Sequence, residues 1–80
     1  MFKWWLNSTR IAVRIKKNNK VFYISHNWKN DIHNILIKRE DLTSKDLFIN
    51  KQYARESICE LLRTTDKYHK ELCSVEFVKV

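Results

Sequence analysis

From Arg10 to Lys16 apolar and polar residues alternate: Ile11, Val13 and Ile15 on one side, Arg10, Ala12, Arg14 and Lys16 on the other. Side chains of a strand point to opposite faces with a period of two, so this run predicts a half-buried strand. Val21-Phe22-Tyr23-Ile24-Ser25 is rich in β-formers. Asn18-Asn19 lies between the two runs, and Asn tolerates positive φ better than any residue but Gly, so a two-residue hairpin turn is expected there. That turn pairs Ile15 with Phe22, Val13 with Ile24, Arg14 with Tyr23 and Lys16 with Val21. The faces of the two strands then agree, which supports the register. A turn at Ser8-Thr9 would pair Leu6 with Ile11, Trp4 with Val13 and Phe2 with Ile15. The expectation is an N-terminal three-stranded antiparallel meander over residues 2–7, 10–16 and 21–25. One face is apolar; the other carries Lys3, Trp5, Asn7, Arg10, Ala12, Arg14, Lys16, Val21, Tyr23 and Ser25.

Residues 26–31 read as a loop. Residues 32–39 fit either a short strand through Ile35-Leu36-Ile37 or a helical face of Ile32, Ile35 and Leu36, with a lean to strand. A main helix is expected over about 45–64, with Leu47, Ala54, Ile58, Leu61 and Leu62 on one face. Thr43 to Asp46 has the spacing of a capping box, and Asn50 is a rival N-cap. A C-terminal strand is expected over about 72–79, with Cys73, Val75 and Phe77 on one face. It would join the sheet beside the first strand or beside the third. The fold class is therefore α+β, a two-layer single domain over 1–80 with the helix covering the apolar sheet face. A chain this short buries only about 60 % of its unfolded surface, so a homodimer would help its thin core.

The chain of 80 residues contains no Gly and no Pro. Phosphate-cradling P-loops, dinucleotide fingerprints, nucleophile elbows and calcium-binding EF-hand loops all need glycine and are excluded. The net charge is +7, and it is segregated. Residues 1–40 hold nine basic and two acidic side chains, residues 41–80 seven of each. A one-sided field of this kind attracts polyanions: nucleic acid, an acidic protein surface or anionic lipid. No apolar run is long enough for a spanning helix, and Cys59 and Cys73 form neither a C-x-x-C pair nor a disulfide framework. The reading is a cytoplasmic, intracellular protein without a membrane partner. Its Lys, Asn and Ile content suggests an AT-rich genome, such as that of a virus or mobile element.

The outer face of the meander is the candidate site. Lys3, Arg10, Arg14 and Lys16, with Lys17 and Lys20 at the hairpin tip, would contact phosphates; Trp5 and Tyr23 would stack on bases. The competing view is a solvated sheet face. The alternative function uses Trp5, Arg10, Arg14, Tyr23 and Trp28 to dock an acidic surface of a host protein as an inhibitor, since Trp, Tyr and Arg dominate interface hot spots. His69-x-x-x-Cys73 with Cys59 and His26 or His33 could be assembled into metal ligands. The bland reading is preferred: the cysteines are small buried hydrophobes and the histidines surface residues. His26, His33 and His69 could be combined with Glu40 and Asp41 for acid–base work, but nothing in the spacing brings them together. No enzyme, metal or cofactor is expected. Asn7-Ser8-Thr9 matches a glycosylation sequon and reads as a turn. A three-stranded sheet followed by a helix resembles, in architecture alone, the sheet-type DNA-binding modules of some integrases; no residue carries over.

Overall fold

A computed structural model of the chain describes residues 10–80. They form an α+β fold: β1 (Ile11–Lys17), β2 (Lys20–Ile24), β3 (Leu36–Lys38), helix α1 (Lys51–Thr64), the short helix α2 (His69–Leu72) and β4 (Glu76–Lys79). The strands make one antiparallel four-stranded sheet in the order β3-β2-β1-β4. The expected strand over 2–7 lies outside the described residues.

The β1–β2 hairpin has the expected register: Val13 faces Ile24, Arg14 faces Tyr23, Ile15 faces Phe22 and Lys16 faces Val21. Asn18 and Asn19 make the turn with φ of 53° and 63°. Both angles lie in the left-handed region that a two-residue hairpin demands and that disfavours residues other than Gly, Asn and Asp. Residues 32–39 resolve towards the strand reading, as the short edge strand β3 beside β2.

The second half departs from expectation in three places. First, α1 starts at Lys51, not near 45. The Asn50 side chain accepts the Tyr53 backbone N–H at 2.8 Å. The Thr43–Asp46 capping box also forms, but it closes a 3-10 turn over Ser44–Asp46. Second, Leu47 and Phe48 run along the sheet instead of up the helix. Phe48 exchanges backbone hydrogen bonds with Ile11, at 2.9 and 2.8 Å, where β2 has already turned away. Third, the last strand is shorter than 72–79. Residues 69–72 wind into α2, burying Leu72 and leaving Cys73 exposed. β4 lies beside β1, with Ile11 facing Lys79 and Arg14 facing Glu76, so it joins neither strand expected for it, 2–7 or 21–25, but takes the edge of 10–16 that the meander assigned to 2–7.

The main core lies between one sheet face and the helices. It contains Ile11, Val13, Ile15, Ile24, Phe48, Ala54, Ile58, Leu61 and Leu72, joined by Trp28, Ile35 and Tyr68. A smaller apolar cluster occupies the other face. There Ala12, Tyr23 and Leu47 are buried and Ile37, Leu42 and Val80 pack against them. The face that alternation assigns to solvent is thus partly a second core. Among the described residues no helix is long and apolar enough to cross a membrane.

Candidate nucleic-acid interface

The two cores decide which of the expected site residues reach solvent. Tyr23 is 5 % exposed, and its hydroxyl accepts a hydrogen bond from Arg39 Nη1 at 3.1 Å. Its ring faces Ala12 and Leu47 and cannot stack on a base. Trp28 is 3 % exposed and donates from Nε1 to Ser57 Oγ at 2.8 Å, tying its 3-10 turn to α1. It is a core residue, not an interface anchor. Lys3 and Trp5 lie outside the described residues. Arg10 is exposed just before β1.

Arg14 is half-buried, and its charge is matched across the sheet. Its Nε and Nη2 donate to the two carboxylate oxygens of Glu76, at 3.3 and 3.2 Å. These hydrogen bonds, then the opposite charges themselves, raise the Arg14 pKa and lower that of Glu76; nearby Lys16 lowers Glu76 slightly further. A carboxylate depressed in the folded state stabilises it above the unfolded pKa, and the stabilisation is lost as pH falls through the folded value. The acid titration of Glu76, followed by NMR, should therefore show a midpoint below the ordinary carboxylate range. Arg14→Gln should return it towards that range; an unchanged midpoint in the variant would show that the pair does not form in solution.

Among the described residues, lysines without an ion-pair partner collect at the hairpin tip. Lys17 faces Lys20 directly across the last rung of the hairpin, and Lys16, Lys20 and both turn asparagines are exposed. A cleft of about 370 Å³ beside the tip is lined by Lys16, Lys17, Asn18, Lys70, Glu71 and Ser74. Tyr68 joins the hairpin to α2. Its ring is buried beneath the ammonium groups of Lys17 at 5.6 Å and Lys67 at 5.3 Å, each a cation–π arrangement. Lys67 and the Tyr68 hydroxyl also donate to the His33 carbonyl, both at 3.4 Å. Five lysines (16, 17, 20, 67 and 70) thus occupy one end of the molecule. Among the described residues the ion pairs are Arg14–Glu76 and Lys29–Glu60, so none of the five has a carboxylate at ion-pair distance.

Lys67 and Lys70 were not legible as site residues. They sit in the half of the chain whose charges balance, with Glu71 lining the same cleft as Lys70, and only the packing of α2 against the hairpin brings them beside Lys16 and Lys17. The other candidate constellations are dispersed. His26 shares a groove with Glu56 and Glu60, the His33 carbonyl serves Lys67 and Tyr68, and His69 Nε2 lies 3.7 Å from Cys73 Sγ. Both cysteines are exposed, contrary to the buried role expected for them. Among the described residues no group of three His, Cys, Asp or Glu side chains could hold a metal ion. Compared with known proteins, the chain matches no family model, no curated protein and no solved structure, so no residue role is carried over from a relative.

Proposed function

We propose that this is a small, intracellular, non-enzymatic nucleic-acid-binding protein that grips the sugar-phosphate backbone with the lysine end of the fold. The contacts come from Lys16, Lys17 and Lys20 on the hairpin and Lys67 and Lys70 around α2. The observation that carries this reading is the Lys17–Lys20 pair. Like charges directly opposite on a sheet destabilise it, yet the sequence places two lysines there and adds three more around them. An array of unmatched ammonium groups is what a row of phosphates requires. Both readings lose Tyr23 to the interior, and the acidic-protein alternative also loses Trp28.

The test is a fluorescence-anisotropy titration with nucleic acid across a range of salt. Four or five phosphate contacts should give a log–log slope of roughly −3 to −5. Absence of binding at low salt would rule the proposal out.

A further inference from the structure

Resting on that reading, we infer that the ligand is duplex DNA and that the Asn18-Asn19 tip enters its major groove while the lysines hold the flanking phosphates. Among the described residues the lysine end presents no exposed ring. Strand-preferring binders of unpaired nucleic acid need exposed rings on which bases stack. Around the lysine cluster the ring at hand is Tyr68, which is buried under two ammonium groups. The exposed tyrosine, Tyr53 at 47 %, lies away from the cluster in a groove with His26, Glu56 and the Lys29–Glu60 ion pair, where no excess of positive charge draws a phosphate backbone. Among the described residues the cluster therefore offers charge without a stacking surface, and charge alone reads the regular phosphate rows of a duplex.

The shape of the hairpin points the same way. A two-stranded β-ribbon fits the major groove of B-form DNA, about 12 Å wide. Here the ribbon ends in the shortest hairpin turn, with two exposed amide side chains at its apex and lysines in the next positions on both strands. A rise of about 3.3 Å per residue sets those lysines one to two residues behind the apex, level with the groove rim when the tip is inside. Asn pairs bidentately with the N6 and N7 edge of adenine, so the apex carries a group able to read a base. The major groove of an RNA duplex is deep and narrow and does not admit such a ribbon.

The test compares competition binding of a short DNA duplex, its separated strands and an RNA duplex of the same sequence. It uses the full chain and its Asn18→Gly/Asn19→Gly variant. Glycine keeps positive φ at both positions, so the variant folds, as its circular-dichroism melt will verify. The DNA duplex should bind about tenfold or more tighter than either competitor. The variant should keep the salt slope but lose about fivefold to a hundredfold of the discrimination between adenine-containing and substituted duplexes. Equal binding of single strands or of RNA duplex, with the same lysine-dependent slope, overturns the duplex-DNA inference and leaves backbone binding intact. An unaltered sequence preference in the variant overturns groove entry. No binding by any of the three overturns the underlying reading instead.

Discussion

Phe48→Ala should remove about 3–5 kcal/mol of stability, the cost of deleting a fully buried aromatic side chain and leaving a cavity. Phe48 has no exposed surface. It bridges Ile11 through two backbone hydrogen bonds and packs against the rings of His26 and Tyr53, with centroids 6.2 and 6.1 Å away. It is the residue where the segment leading into α1 is pinned to the sheet. At roughly 0.05–0.15 kcal/mol per residue, a domain this short has only about 4–12 kcal/mol in all, so the variant should be largely unfolded at modest urea. Phe48→Leu keeps most of the volume and should cost less. The next residue supplies the contrast: Ile49 is 56 % exposed, and Ile49→Ala should stay within about 0.5 kcal/mol of the parent. Urea denaturation followed by circular dichroism separates the three. Equal midpoints for Phe48→Ala and Ile49→Ala would contradict the packing described for this segment.

Phe48 also shows where sequence pattern stops being informative. The hairpin was legible to the residue, because strict alternation on two strands and a turn of two asparagines leave one register that keeps every side chain on its proper face. The helix was legible in its apolar face but not in its start. Leu47 falls in phase with Ala54, Ile58 and Leu61, yet it is buried on the opposite side of the sheet with Ala12 and Tyr23. Helical periodicity cannot register a chain that crosses a sheet edge before the helix begins. The same crossing explains the site. Ala12, Tyr23, Val78 and Val80 look like the outward half of alternating strands, and alternation does not say whether a second layer covers them. Once Leu42 and Leu47 do so, with Ile37 beside it on β3, Tyr23 becomes core. Among the described residues the cationic half of the expected surface stays exposed at Arg10 and clusters where the hairpin extends past that cover, at Lys16, Lys17 and Lys20. The helical turn of residues 69–72 was missed because Glu71-Leu72-Cys73 continues a strand-like alternation into Val75 and Phe77; burial of Leu72 against the main core decides for the helix.

Neutralising that surviving patch should give the largest functional effect. Lys16→Gln/Lys20→Gln/Lys70→Gln removes three exposed ammonium groups from the hairpin and α2, and leaves Lys17 and Lys67 on the Tyr68 ring. Each lost phosphate contact lowers the salt slope by about 0.9, so the slope should flatten by roughly 2.7. At about 0.1 M salt this corresponds to an affinity loss of about 10²–10³-fold. Stability should move the other way or not at all. Exposed substitutions stay within about 0.5 kcal/mol, and replacing Lys20 relieves the repulsion from Lys17 across the hairpin. The control is Lys45→Gln/Lys51→Gln/Lys79→Gln, which makes the same change in net charge. Lys79 pairs beside Ile11 at the far end of β1, and Lys45 and Lys51 lie on the segment entering α1 and in its first turn. At a screening length of about 10 Å those charges contribute little to a ligand held at the hairpin tip, so the control should lose no more than a few-fold. Loss of binding with retained or increased stability in the first variant, against near-parental binding in the second, assigns the interaction to the lysine end. If both triple variants weaken binding equally, affinity follows net charge alone and the hairpin tip is not the site.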